Sequence, residues 1–365
     1  MHKDVLKIML TCVNSQASPS IIQLIRGHPD YDVKVIGVDA VSLNDNLGRS
    51  FCDQCYQVSL GSDKGYITAI KNIIRENDIR LIFTGNDEEC LELSKHRNEL
   101  KNLGCDVCCS SYEVVSLASD KYELMEKLKD NGIPVAEVYS VKTIEDLRSV
   151  ALMLGYPEND FIIKPKFGRG SKGFRIVTSK KDKYAAFYTG DYSKLTLEEL
   201  IEVFSEHVEE IQKYLMMEYL PGDKYSTDAL MSDGKIISMV IRNNGSLPKV
   251  LPPTQIADIV FDKDIREYAE SINELLGFDY FVQIEIGRDI NGNPRLIEIN
   301  TRLDATIPIT TGLGLNFLHE MITYSVTGRM RDGVKDYKDY KDCERQLRFR
   351  RYWQHLFENN DDGTL

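Results

Sequence analysis

At 365 residues with 42% hydrophobic content, the chain is longer than one ordinary domain and apolar enough to bury two or three modest cores. Its 45 basic against 57 acidic residues leave a formal net charge of −12, which argues against a general phosphate-backbone binder, because counterion release needs a positive face. No uncharged apolar run approaches a membrane span, and Met1 to Leu10 mixes apolar residues with Lys3, Asp4 and Lys7. An unexported, cytoplasmic protein with neither a nucleic-acid nor a membrane partner is expected.

In chain order, Val5 to Val13 reads as a buried strand, Ser20 to Gly27 as a helix, Val33 to Asp39 as a strand, Gly65 to Asn77 as a helix and Arg80 to Thr84 as a strand. That alternation predicts a doubly wound parallel sheet. The turn after the first strand, Cys12-Val-Asn-Ser-Gln-Ala-Ser-Pro19, lacks the glycines a dinucleotide pyrophosphate needs, so Asp39 reads as a strand-end cap or a substrate-side contact. Asn86-Asp-Glu-Glu89 reads as the acidic start of a helix. Eight cysteines include Cys52-Asp-Gln-Cys55 and Cys105-Asp-Val-Cys108-Cys109; in apolar surroundings they read as small hydrophobes rather than as a zinc or disulfide framework.

From Ser119 the pattern changes. Asp120 caps an amphipathic helix that ends at Gly132, and Phe161 to Pro165 is a short strand with Phe174 to Thr178 as its hairpin partner. Leu195 to Tyr214 reads as one long helix. Tyr214 to Tyr219, Asp228 to Met231, Lys235 to Arg242, Phe281 to Arg288 and Arg295 to Asn300 read as strands of an antiparallel sheet, with Asp233-Gly234 and Asn291-Gly292 as hairpin turns. The charged stretch from Arg329 leads to Leu347 to Phe357, a last strand or helix packed on the body.

Two segments carry chemistry. In Ile163-Lys-Pro-Lys-Phe-Gly-Arg-Gly-Ser-Lys-Gly173, the glycines let backbone amides approach an anion while Lys164, Lys166, Arg169 and Lys172 supply charge. In Phe281-Val-Gln-Ile-Glu-Ile286 and Leu296-Ile-Glu-Ile-Asn-Thr-Arg302, the period of a strand puts Gln283 with Glu285, and Glu298 with Asn300, on one face each. Carboxylates in an apolar sheet are costly unless they meet a cation, and oxygen donors with room for phosphates suit Mg2+.

Together these segments resemble the ATP-grasp superfamily, most of all the ligases like the carbamoyl phosphate synthase large subunit, over about Val5 to Gly328. The order is that of the family: a parallel domain, an Asp120-Lys121 helix start, the Lys-Pro flap, a strand ending Met217-Glu-Tyr-Leu-Pro-Gly222, then the Gln/Glu strand and the Glu-x-Asn-x-Arg strand. The resemblance implies a doubly wound domain over 1–113, an ATP-grasp domain over 114–330 with a lid over about 135–217 and an antiparallel C-terminal sheet, and a charged tail over 331–365. It further implies that Lys121 and Lys164 contact ATP phosphates, with Lys164 and Arg302 catalytic. The flap, including Gly170, Ser171, Lys172 and Gly173, would fold over the β and γ groups. Glu218, Tyr219 and Leu220 would read the adenine edge. Glu298 and Asn300 would hold Mg2+, or Mn2+ in its place, with Gln283 as the partner on the neighbouring strand and Glu285 as the substitute if the register differs.

The chain departs from the family at Asp223-Lys224, where many members have a ribose-binding Glu, so ribose recognition moves to Asp223 or is lost. Thr301 replaces the usual Pro, and Leu303-Asp304-Ala305-Thr306 replaces a Gly or Ser rich loop. Arg242 and Arg302 are candidates to grip a substrate carboxylate, and Asp228 or Asp304 to face an amino group. The Leu247 to Gln255 loop and Gly312-Leu-Gly-Leu315 are candidates to shape the acceptor side. The implied reaction joins a small carboxylate, activated by ATP as an acyl phosphate, to an amine, in a monomer or a homodimer. The alternatives are a carboxyphosphate or carbamoyl phosphate forming enzyme and a non-catalytic ATP-binding regulatory protein.

Overall fold

A computed structural model describes residues 3–168, 173–190, 192–245, 256–338, 347–352 and 354–355. The first sheet contains β1 (Asp4–Thr11), β2 (Tyr31–Asp39), β3 (Gln54–Gln57), β4 (Leu81–Phe83) and β5 (Asp106–Val107), all parallel in the order β3-β2-β1-β4-β5. The apolar run of β1 follows from cover on both faces. Ile8 and Leu10 pack with Ile21, Ile22 and Ile25 of the helix Ser18–Arg26, while Met9 packs with Tyr66, Ile70 and Ile74 of the helix Tyr66–Asn77.

The second sheet contains β6 (Val138–Ser140), β7 (Phe161–Pro165), β8 (Arg175–Val177), β9 (Lys194–Leu195) and β10 (Tyr214–Glu218), in the order β6-β10-β7-β8-β9. This corrects the reading of Tyr214 to Tyr219 as part of the C-terminal sheet. Met217 is paired with Val138 and Leu215 with Lys164, which sets the strand between β6 and β7. The long helix expected over Leu195 to Tyr214 is also shorter. A Thr196 capping box starts it, it runs Leu197–Ser205, and His207 leaves helical geometry at φ −144°. A 3₁₀ turn, Val208–Lys213, then buries Ile211 in the core of this sheet.

The third sheet is β11 (Lys224–Ser232), β12 (Lys235–Gly245), β13 (Ile256–Val260), β14 (Tyr280–Arg288), β15 (Pro294–Asn300) and β16 (Arg348–Arg350), antiparallel throughout in the order β15-β14-β11-β12-β13-β16. Asp233 and Gly234 both have positive φ, 50° and 74°, as a two-residue hairpin turn requires. One face of this sheet packs under the helix Lys263–Leu276 through Ile265, Ala269 and Ile272. The other shares a core with the first sheet, where Leu230, Val240 and Phe281 meet Leu6, Ile8 and Leu81. Ile272 is fully buried in the first of these layers. Ile272→Ala should therefore cost about 2–5 kcal/mol, read as a lowered urea midpoint; a shift worth less than about 1 kcal/mol would mean that the helix does not hold the sheet.

Candidate functional site

The parallel sheet reverses its winding between β1 and β4, and the crevice at such a switch point is the usual ligand position. Here the chain fills it with its own loop. The Leu303 amide donates to the Thr84 carbonyl at 3.0 Å, and the Cys90 thiol donates to the Thr301 carbonyl at 3.5 Å. Gly85 makes the approach of β1 and β4 possible, since a Cβ there would lie 2.4 Å from the Thr11 carbonyl oxygen. Asp39 caps its strand end, accepting from the Asn14 amide at 2.8 Å and the Val41 amide at 2.9 Å.

The loop that enters the crevice follows β15. On β14 and β15, Glu285 stands opposite Glu298 and Gln283 opposite Asn300. The register thus gives Glu298 a carboxylate partner, Glu285, and leaves Gln283 facing the amide. Burial first, then Glu298 and Asp304, push the Glu285 carboxyl up to about 8. Two opposed, partly buried carboxylates beside the Asn300 amide are the oxygen-donor set a divalent cation stabilises, and Mg2+ or Mn2+ fits it. Gln283 is otherwise engaged: its Nε2 donates to Asp228 at 2.9 Å and to Thr306 at 3.2 Å, and its Oε1 accepts from Asn300 Nδ2 at 3.1 Å. It positions Asn300 instead of pointing at a cation.

Cations surround this pair. Lys164, on β7, sends Nζ to the Ile297 carbonyl at 2.9 Å, and burial, opposed by Glu298, draws its pKa down to about 8. Lys121, the first residue of a helix capped by Asp120, donates to the Gly168 carbonyl at 2.8 Å and lies 4.0 Å from Glu298. It therefore ties the base of the flap to the carboxylates. Gly173, at φ +76°, ends that flap where a Cβ would lie 2.8 Å from Pro165. Arg169, Gly170, Ser171 and Lys172 lie outside the described residues.

Arg302 is fixed from three sides. Nη2 donates to Asn300 Oδ1 at 3.1 Å, Nη1 to Asp304 at 3.1 Å, and Nε lies 3.2 Å from Asp87 of the first domain. Against the opposition of burial, Asp87, Asp304 and Glu298 hold its pKa above the usual arginine range. Asp304 in turn is kept well below the usual carboxylate range, against burial, by Arg302 and Arg242. Asp87 read from the sequence only as part of an acidic helix start; its one local signal was a carboxylate just past the end of a parallel strand.

At the end of β10, Glu218 Oε2 accepts from the Glu137 amide at 3.3 Å, and Leu220 is buried in the core beneath the third sheet. Lys224 lies over the Tyr219 ring at 5.7 Å and donates to the Leu220 carbonyl, and burial draws its pKa down to about 8. Asp223 accepts from Asn243 at 2.9 Å. Arg242 and Asp228 are the clearest correction to the substrate assignments. They lie only 1% and 0% exposed and grip each other through two 3.1 Å hydrogen bonds, so they form an internal brace beneath the site. The Leu247 to Gln255 loop lies outside the described residues. The cysteines carry free thiols where described, and no His, Cys, Asp or Glu group of three or more is placed to hold a metal among the described residues. No helix there is long and apolar enough to cross a membrane.

A family model described as ATP-grasp in the biosynthetic pathway with Ter operon matches residues 210–344, and one described as the PylC-like N-terminal domain matches 8–108. The carbamoyl phosphate synthase large chain of Clostridium acetobutylicum is 25% identical over 77% of this chain and 25% of its own length. The C-terminal section of that large chain from Methanocaldococcus jannaschii is 24% identical over 87% of this chain and 50% of its own. The chain thus spans a quarter to a half of these relatives. Among solved structures, the biotin carboxylase domain of Hydrogenobacter thermophilus 2-oxoglutarate carboxylase, with MgADP and bicarbonate, superposes at a TM-score of 0.67 with 17% identity, covering 93% of this chain and 72% of that one. The L-amino acid ligase of Bacillus licheniformis gives 0.65 with 15% identity, covering 89% and 75%.

Two outcomes test the geometry. Arg242→Leu strands Asp228 as a buried, unpaired carboxylate and should destabilise the protein by about 3–5 kcal/mol in urea unfolding; a loss below about 1 kcal/mol would place the pair in solvent. Glu285 titrates higher folded than its ordinary 4.5. The folded, metal-free protein therefore holds an extra proton between about 4.5 and 8, and its stability should fall as pH rises through that window. Glu285→Gln should flatten that slope, and an unchanged slope would contradict the assignment.

Proposed function

We propose that the chain is a Mg-ATP-dependent ligase of the ATP-grasp superfamily that activates a carboxylate as an acyl phosphate and transfers the acyl group to an amine or similar nucleophile. The observation that carries this reading is the direct opposition of Glu285 and Glu298, bordered by Lys121, Lys164 and Arg302. A protein that only bound nucleotide would not need two carboxylates forced together beside three cations.

Lys121 and Lys164 would take the ATP phosphates, and the flap whose base Lys121 holds would cover them. Glu298, Glu285 and Asn300 would hold Mg2+, which when bound offsets charge on the transferring γ-phosphate. A substrate carboxylate oxygen attacks the γ-phosphorus, ADP leaves, and Arg302 carries the charge of the acyl phosphate with a fork already oriented by Asn300 and Asp304. The amine then attacks the acyl carbon, phosphate departs, and the amine loses its proton to solvent. Positioning supplies most of the acceleration. Glu218, Tyr219 and Leu220 would form the adenine hinge, where Lys224 offers the ribose a donor in place of an acceptor and Asp223 stays on Asn243. Bicarbonate is the alternative carboxylate, in keeping with the carbamoyl phosphate synthase relatives.

Phosphate release from Mg-ATP, screened against amino acids, peptides and bicarbonate, is the test. Turnover that depends on a co-substrate is expected, and Glu298→Ala should lower it by about two to three orders of magnitude with the fold retained by circular dichroism. Full activity in that variant, or no co-substrate dependence in the parent chain, would overturn the proposal.

A further inference from the structure

The C-terminal segment brings a cation to this site that the metal strand does not account for. β16 adds to the edge of the third sheet, Ile256 opposite Arg350 and Asp258 opposite Arg348, beyond the residues that the family model matches. The next residue, Arg351, turns inward. Its Nη2 donates to the Ala305 carbonyl at 2.5 Å, its guanidinium carbon lies 5.7 Å from the Phe349 ring centroid, and its charged neighbours are Asp304 and Arg242.

The other guanidiniums here are already matched to carboxylates: Arg242 to Asp228, and Arg302 to Asp87 and Asp304. Asp304, the acid that acts on Arg351, is thereby committed to Arg302 and to the Thr306 amide at 2.8 Å. Among the described residues Arg351 makes no ion pair, although it is half-buried. A half-buried guanidinium held, among the described residues, by one carbonyl and an aromatic face retains donors for an anion, and its planar fork matches a carboxylate. Its position selects which one. Arg302, adjoining Asn300, serves the reacting group, whereas Arg351 reaches the loop at Ala305, three residues farther on.

We propose that Arg351 anchors a carboxylate on the acyl-accepting substrate, so that the acceptor is an amine bearing its own carboxylate, an amino acid or a peptide. This rests on the ligase reading above and names the acceptor class for it. The burial that lowers the Arg351 pKa strengthens the pairing, because a desolvated cation gains most from a matched anion.

The experiment uses the full chain with Mg-ATP and the twenty L-amino acids, each compared with the amine that lacks its carboxylate. Stimulation of phosphate release by at least one amino acid and not by its decarboxylated amine is expected. Arg351→Gln should raise the KM for that amino acid on the order of tenfold to a hundredfold, with kcat changed less and MgADP affinity by calorimetry held. Arg351→Lys, which keeps the charge but not the fork, should fall between. Equal stimulation by the amines, an unchanged KM in Arg351→Gln, or stimulation by bicarbonate alone would overturn the assignment. Failure of the ligase reading itself would look different: phosphate release would then survive Glu298→Ala.

Discussion

Two carboxylates facing each other across neighbouring strands, Glu285 and Glu298, are the constraint on which the rest of the site depends. Burial first, and then the repulsion of Glu298 and Asp304, push the Glu285 carboxyl up to about 8. Everything packed nearby moderates that cost. Lys164 reaches across from the second sheet, Lys121 from the helix before it, and Arg302 from just past the end of β15. The site is thus built with nearly balanced charge, but with its negative members drawn together and its positive members tethered around them. That arrangement suits a cation at the centre and anions at the rim.

The tethers also join the three sheets mechanically. Lys164 belongs to the second sheet and ends on a carbonyl of β15. Asp87 begins a helix of the first domain and ends on Arg302. The Leu303 amide closes on Thr84, where a Rossmann-like sheet would leave its crevice open. The first sheet's helix and strand ends therefore meet the loop 301–306 directly, while the second sheet reaches the strand that leads into it at Ile297. Beneath that loop the Arg242–Asp228 pair and Gln283 form a buried, hydrogen-bonded support. Its value lies in holding Asn300 and Thr306 in place, since a buried ion pair adds little net stability by itself.

Much of this was legible in the chain. The continuous apolar runs of the first sheet, the Asp233-Gly234 turn and the strand period of the Glu298 segment are local patterns, set by backbone sterics and by which residues tolerate burial. They fixed the parallel sheet, the hairpins and the shared face of Glu298 and Asn300. The helix expected over Leu195 to Tyr214 failed at His207 because periodicity does not register where a helix hands its apolar face to a 3₁₀ turn. The strand ending at Glu218 was assigned to the wrong sheet because a strand's sequence states its faces and not its neighbours.

The sequence by itself determined the kinds of group available and their spacing along each strand: two carboxylates, an amide and an arginine at alternating positions, with lysines and glycines upstream. Only the tertiary structure decided who meets whom. It paired Glu285 with Glu298, turned Gln283 aside, withdrew Arg242 and Asp228 into each other, and brought in Asp87 from the first sheet's side and Arg351 from the C-terminal segment. The reason is physical. Local propensity is written in residues a few positions apart, whereas strand register and ion pairing are settled by groups hundreds of residues away competing for the same buried space, where each charge must find a partner or be excluded.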